Sequence, residues 1–183
     1  MSKFEEEKIT KKVLLMGLDN SGKTSILISL SKNSNILSFC SLKPTNKIAI
    51  SNIDTGDTIM NIWDFGGQEA FRKGHLENLE RYLNEVDRII FVIDVQDIKR
   101  YMLAVDYLTS IVNTVKKHEI KTEFSIFLHK YDPNLTNFKE FKDIDTVIES
   151  ELLKPIKEIF SSEYKYEIST TCIYSVFQKC SIL

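Results

Sequence analysis

The sequence lacks an excess of basic residues. Its 24 lysines and arginines face 26 aspartates and glutamates, which gives a formal net charge of -2. No nucleic acid is therefore expected as a main partner. The chain also has only three cysteines, and their spacing matches neither a zinc site nor a disulfide framework. This scarcity favours a reducing, cytoplasmic setting.

Long apolar runs are missing as well. No stretch approaches the roughly 20 apolar residues of a membrane-spanning helix, and the N-terminus has no signal-peptide core. Ser2 stands where N-myristoylation requires glycine. Peripheral membrane association stays open, because Cys180 begins a C-terminal C-S-I-L sequence of the prenylation type. Cys180 fits equally well on the apolar face of a last helix.

What the sequence does contain is the composition of an ordinary globular protein. Of its 183 residues, 43% are apolar and 27% are charged, which suits one domain spanning residues 1–183 with a real core. Residues 1–10 are mostly polar and are expected to form a flexible N-terminal segment.

Apolar runs alternate with stretches of helical spacing along the chain. Strands are predicted at residues 12–16, 47–53, 58–63, 88–95, 124–128 and 166–170. Helices are predicted at 24–31, 101–117 and 144–160, and briefly from 173, with a loop over 33–44. The alternation favours an α/β fold whose mostly parallel sheet is covered on both faces, a three-layer sandwich.

Residues 17–24 read G-L-D-N-S-G-K-T and match the phosphate-loop pattern G-x-x-x-x-G-K-[ST]. Glycines let successive backbone N–H groups point at phosphates, and the following helix adds its positive end. Lys23 would reach the terminal phosphates, and the Thr24 hydroxyl would bind Mg²⁺. The predicted nucleotide contacts from this loop are Asp19, Asn20, Ser21, Gly22, Lys23, Thr24 and Ser25.

A second phosphate motif, W-D-F-G-G-Q, occupies residues 63–68. Asp64 at a strand end would hold Mg²⁺ through a water, Gly67 would offer its N–H to the γ-phosphate, and Gln68 would orient the attacking water. Thr45, in the loop before the second strand, is the expected γ-phosphate sensor, with Ser41 as the nearest alternative. The predicted metal ligands are thus Thr24, Thr45 and Asp64, and the predicted catalytic groups are Gln68, Lys23 and Gly67.

Residues 129–132, H-K-Y-D, follow a buried strand and form a base-reading motif. The Asp132 carboxylate can accept hydrogen bonds from the ring N–H and the amino group of guanine, a donor pair that adenine lacks. The Lys130 stem can lie over the purine, and His129 can donate to the purine ring or ribose region.

Together these motifs resemble the Ras superfamily of small GTPases, from about residue 11 to the end. The strings G-L-D-x-x-G-K-T and W-D-x-G-G-Q are similar to the Arf branch. The stretches 11–17 and 45–48, and His129 in place of asparagine, are similar to the Rag/Gtr branch. The resemblance implies a P-loop NTPase fold with six strands and about five helices, and a GTP/GDP cycle with Mg²⁺. It further implies that Thr171 and Cys172 lie in the last base-binding loop.

The resemblance also implies partners: an activating protein, an exchange factor, and effectors that bind the switch loops. Rag proteins carry a second, dimer-forming domain, so this chain is either part of a longer protein or a single-domain relative, and homodimers and heterodimers both stay open. No arginine is evident in the switch loop, so slow intrinsic hydrolysis is expected. Two alternatives stay open: a P-loop kinase or ATPase, and a nucleotide-binding scaffold without significant hydrolysis.

Overall fold

Six strands of the chain form one sheet in the computed structural model, which describes residues 8–32, 36–40, 42–160 and 164–174. The order across the sheet is β2-β3-β1-β4-β5-β6; β2 runs antiparallel to β3 and all other pairs are parallel. The strands are β1 (Ile9–Gly17), β2 (Ile48–Asp54), β3 (Thr58–Phe65), β4 (Arg88–Asp94), β5 (Glu123–His129) and β6 (Tyr166–Thr171). The predicted mostly parallel, six-stranded sheet is confirmed.

The helices cover both faces of this sheet. They are α1 (Lys23–Leu30), α2 (Ile36–Cys40), α3 (Glu69–Glu77), α4 (Leu79–Tyr82), α5 (Tyr101–Lys117), α6 (Ile144–Ile148) and α7 (Lys154–Ile159), with a π-helical stretch, Glu149–Leu153, joining the last two. The helices predicted at 24–31, 101–117 and 144–160 are confirmed. None of the described helices has the length and apolar character needed to cross a membrane.

The structure differs from three of the predictions made from the sequence. The loop predicted over 33–44 is wrong at α2, where the sequence I-L-S-F-C carries apolar residues but no glycine or proline to stop a helical turn. Strand β1 begins at Ile9, within the segment expected to be flexible. Ile173 and Tyr174 are not helical; the rest of that predicted helix, Cys180 and residues 1–7 lie outside the described residues.

The core has two parts because the central strands are buried on both faces. The larger part includes Leu14, Met16 and Phe91 and packs against α5 through Leu108 and Ile111. The smaller part consists of Val13, Leu15, Ile62 and Val92, against which Ile26 and Leu27 of α1 pack. Near-continuous apolar strands of this kind are typical of parallel sheets covered on both sides.

Helices α3 and α4 are held to the sheet by their apolar residues. Leu79 is fully buried, and Leu76 and Tyr82 pack against the larger core. Leu76, Leu79 and Tyr82 therefore fix the two helices that follow Gln68 against the core.

Strand register brings distant residues to one edge. Gly17 lies beside Val92, Asp94 beside His129, and His129 beside Thr171. The carboxyl ends of parallel strands meet at the same edge of a sheet, where ligands of open α/β folds bind. This edge therefore collects the loops that carry the motifs.

The substitution Leu108→Ala should lower the free energy of unfolding by about 2–5 kcal/mol, because it leaves a cavity between α5 and the sheet. Urea denaturation followed by circular dichroism would measure the loss. Met102→Ala, on the exposed side of the same helix, is the matched control and should stay within about 0.5 kcal/mol of wild type. Equal effects of the two substitutions would contradict this placement of α5.

Candidate functional site

The phosphate loop, residues 17–24, spans the end of β1 and the start of α1. Gly17 and Gly22 have positive φ angles of 143° and 94°. A Cβ atom at Gly17 would lie 2.3 Å from the carbonyl oxygen of Val92, and one at Gly22 would lie 2.4 Å from Cδ2 of His129. Both positions therefore require glycine on conformational and steric grounds.

Lys23 is the central cation of this loop. Its side chain is buried, and its Nζ atom donates to the backbone oxygens of Gly17 at 3.1 Å and Leu18 at 2.6 Å. Burial lowers the pKa of Lys23 to about 8, and the nearby charges of Asp64 and Asp19 oppose that shift. The direct partners are neutral oxygens, so an anion entering the loop would satisfy a buried positive charge.

An oxygen cluster lies beside the loop, at the start of α1. The hydroxyls of Thr24 and Thr45 each donate to Oδ2 of Asp64 at 2.8 Å, and they lie 3.0 Å from each other. Oδ1 of Asp64 is buried and has no hydrogen-bond partner among the described residues. A carboxylate with two hydroxyls is an oxygen set that Mg²⁺ accepts, and the unpartnered oxygen is what a cation would satisfy.

The segment that carries Thr45 is held in place by backbone contacts. The Gly66 N–H donates to the backbone oxygen of Lys47 at 2.7 Å. A Cβ atom at Gly66 would lie 2.4 Å from the backbone oxygen of Thr45. The close approach of these two segments brings together the three residues predicted as metal ligands.

Gly67 lies directly against the phosphate loop. Its carbonyl oxygen accepts the N–H of Asp19 at 3.0 Å, and a Cβ atom on it would lie 2.2 Å from the carbonyl carbon of Leu18. Gln68 follows as the residue preceding α3 and is half-buried. The predicted catalytic residues Lys23, Gly67 and Gln68 thus surround one space.

That space is a cavity of about 270 Å³. The predicted contacts Asp19, Asn20, Ser21, Gly22, Lys23, Thr24 and Ser25 line it together with residues 42–45, Gly67 and Gln68. Ser41, the alternative to Thr45, lies outside the described residues. The cavity therefore combines the phosphate loop, the segment before β2 and the segment after β3.

The predicted base-reading motif, residues 129–132, lies beside the phosphate loop at the end of β5, next to the end of β6. The His129 ring is buried beneath Gly22, and its Nδ1 atom lies 2.9 Å from Oγ1 of Thr171. The Thr171 backbone oxygen accepts the N–H of Tyr131 at 3.1 Å. Cys172, the next residue, is half-buried. His129 and Thr171 therefore connect the phosphate loop to the last strand.

Lys130 and Asp132 are positioned by two residues of the β4 end. Nζ of Lys130 lies 2.6 Å from Oδ2 of Asp94. Nε2 of Gln96 donates to Oδ2 of Asp132 at 2.7 Å and to the backbone oxygen of Lys130 at 2.8 Å. One amide thus fixes the carboxylate predicted to read the base, and the carboxylate keeps further capacity to accept hydrogen bonds.

Sequence reasoning missed three residues of this region. Gln96 holds Asp132, while Arg72 and Arg100 approach Asp19 from α3 and from the turn before α5. Their chain separation from their partners is large, and no local pattern marks them. The one sequence feature that points to Arg72 is its position four residues after Gln68, near the N-terminal end of α3.

This fold and site occur in a known family of G proteins. The model of the Gtr1/RagA G protein conserved region matches residues 12–181. The chain belongs to the Gtr1/RagA family of G proteins. Its position among the small GTPases, with Rag-like and Arf-like features, agrees with the resemblance of the sequence motifs.

Relatives of this Gtr1/RagA family chain include ADP-ribosylation factor-like protein 3 of Caenorhabditis elegans, 37% identical over 49% of the chain and 45% of that protein. The protein of the same name from Chlamydomonas reinhardtii is 31% identical over 66% of the chain and 63% of its own length. The chain thus matches less than two thirds of either relative.

A solved structure, the Arl6 BBS3 small GTPase from Trypanosoma brucei with bound nucleotide analogue GppNp, has the same fold. The TM-score is 0.64 at 21% identity, covering 89% of this chain and 87% of that one.

Burial lowers the pKa of His129, with the Lys130 charge acting in the same direction and Asp94 and Asp132 opposing it. The unfolded chain takes up this proton near pH 6.5, whereas the buried ring resists it. The free energy of unfolding should therefore fall as pH drops below about 6.5.

In the variant His129→Asn this fall should become shallower, and the remaining slope should come in part from His75, whose pKa burial also lowers. Urea denaturation between pH 5 and 8 measures both slopes, with pH 8 as the internal reference where both rings are neutral. Parallel slopes for the variant and wild type would contradict the buried, neutral ring.

Proposed function

We propose that this Gtr1/RagA family protein is a regulatory switch that binds GTP or GDP with Mg²⁺ and hydrolyses GTP slowly. The observation that carries the proposal is the cavity in which buried Lys23 lies beside the Thr24–Thr45–Asp64 oxygen cluster. A chain built to hold a phosphate–metal pair needs this combination of a buried cation and oxygen ligands.

The phosphates would enter the loop at residues 17–24. There Lys23 exchanges its backbone carbonyl partners for phosphate oxygens, and backbone N–H groups with the N-terminal end of α1 add further donors. Phosphate charge also favours the protonated form of Lys23, which burial disfavours. Nucleotide binding should therefore stabilise the loop.

Mg²⁺ would be held by the hydroxyls of Thr24 and Thr45 and the carboxylate of Asp64. The unpartnered Oδ1 of Asp64 supports this assignment. The ion, when bound, neutralises negative charge on the phosphates. Because Thr45 precedes β2 while Thr24 lies in the first turn of α1, the same ligand set would couple the segment 42–47 to the nucleotide.

Asp132 would select guanine. Gln96 occupies Oδ2 from one side, and a carboxylate has enough lone pairs to accept the ring N–H and amino group of guanine as well. Adenine offers no such donor pair, so its binding would leave the Asp132 carboxylate without these two hydrogen bonds. This favours a GTPase over the kinase or ATPase alternative.

Hydrolysis would transfer the γ-phosphoryl group to water. The water oxygen bonds to phosphorus while the bond from phosphorus to the bridging oxygen breaks, and the products are GDP and phosphate. Gln68 lines the cavity beside Gly67, and in this proposal its amide would orient that water. We expect an activating protein to accelerate hydrolysis and an exchange factor to release GDP. Effectors would bind the segments around Thr45 and Gln68. The expected setting is cytoplasmic or membrane-peripheral.

The nucleotide released from heat-denatured native protein tests the assignment directly. Chromatography should identify GDP or GTP, and Mg²⁺ should strengthen rebinding of either. If no guanosine nucleotide is released and none binds with Mg²⁺ supplied, the proposed function fails.

The variant Asp132→Asn should bind GDP roughly 100-fold more weakly, about 2.7 kcal/mol, because the amide accepts fewer hydrogen bonds and presents a donor to the guanine amino group. The same amide can donate to the 2-carbonyl of xanthine, so xanthosine diphosphate should bind better than GDP. Competition binding measures both. The matched control is Asp57→Asn, in the exposed turn between β2 and β3. If Asp132→Asn still prefers GDP over xanthosine diphosphate as wild type does, Asp132 does not select the base.

The variant Gln68→Leu should retain nucleotide binding yet lower the single-turnover rate of GTP hydrolysis by at least about tenfold, because leucine cannot orient water. The wild-type rate without partners should lie far below one per second, on the scale of intrinsic small-GTPase rates. Glu69→Gln, at the neighbouring exposed position, is the control. If Gln68→Leu hydrolyses GTP at the wild-type rate, a group other than Gln68 orients the attacking water.

A further inference from the structure

Asp19 places a carboxylate at the rim of the cavity proposed to hold the phosphates. It lines the space together with Thr45 and Gly67, and its N–H donates to the Gly67 carbonyl oxygen at 3.0 Å. Thr45 and Gly67 are the residues proposed to meet the γ-phosphate. A free carboxylate at this position would repel the terminal phosphate.

Arg100 binds Asp19 at two points. Its Nη1 atom lies 2.8 Å from Oδ1 of the carboxylate, and its Nη2 atom donates to the Asp19 backbone oxygen at 3.3 Å. Arg100 is itself oriented by Asp97, whose Oδ2 accepts from the guanidinium at 2.5 Å. The guanidinium is thus fixed on the side of Asp19 formed by the turn Ile98–Arg100 that follows β4.

Arg72 approaches the same carboxylate from α3. Its Nη1 atom lies 3.8 Å from Oδ1 of Asp19 and donates to the Gly67 carbonyl oxygen at 2.8 Å. Its side chain is 12% exposed and its guanidinium carbon lies 6.0 Å from the centre of the Tyr107 ring. The carboxylate therefore faces one strongly held and one more distant guanidinium.

We propose that Arg100, supported by Arg72, is a positioning residue that holds the Asp19 carboxylate away from the γ-phosphate and so sets the preference for GTP over GDP. The proposal rests on the proposed function. GDP lacks the phosphate that lies nearest Thr45 and Gly67, so a released Asp19 carboxylate would weaken GTP binding more than GDP binding.

The variant Arg100→Ala tests this by the ratio of two dissociation constants, one for GppNp and one for GDP, measured by competition with Mg²⁺ present. The preference for GppNp should fall roughly twofold to fivefold, the range of a partly exposed charge interaction. Arg100→Gln keeps a side chain of similar length without the charge, and it should change the ratio of the two dissociation constants by the same factor. If Arg100→Ala does not fold, Arg100→Gln takes its place. Arg81→Ala, an exposed arginine on α4, is the control with no expected shift.

The substitution Asp19→Asn provides the decisive comparison. Alone it should keep the preference for GppNp at or above the wild-type value, and in Asp19→Asn/Arg100→Ala it should restore the preference, because no carboxylate remains to be held. Equal weakening of both nucleotides by Arg100→Ala, or a double variant that is not restored, would overturn the proposal. If wild type binds neither nucleotide, the proposed function itself has failed; normal binding with an unchanged ratio removes only the role of Arg100.

Discussion

The buried ammonium group of Lys23 is the constraint on which the site depends. A charge removed from water is costly unless an opposite charge or strong acceptors replace its hydration. Here the replacement is two backbone carbonyls of the same loop, in which the conformation of Gly17 leaves no room for a side chain. The loop is thus already shaped around a cation that an anion would satisfy better.

The glycines after β3 extend this constraint to the neighbouring segments. Gly66 and Gly67 allow backbone to lie on backbone, so the segment with Thr45, the end of β3 and the phosphate loop are joined without intervening side chains. A change in what fills the cavity would therefore act on all three at once.

The sequence predicts features that a local pattern marks, and it does not predict contacts between residues that are far apart in the chain. Apolar runs such as the one ending at Gly17 are local, and they predict both the strand and the loop after it. The association of Asp132 with Gln96, or of Asp19 with Arg100, depends on strand ends meeting at the edge of the sheet. Neither partner stands within a motif, so pattern alone could not name it. The helix α2 was missed because a single turn gives too little periodicity.

His129 shows how the two halves of the site are tied to each other. Its ring fills the space that Gly22 leaves open, and its Nδ1 atom meets Thr171 of the last strand. The sequence predicts this residue as a base contact, but its burial favours a supporting role. An aromatic ring at this position packs against the phosphate loop, whereas the shorter side chain of asparagine would leave part of that space empty. The His129 ring is therefore one direct contact between the phosphate loop and the end of β5.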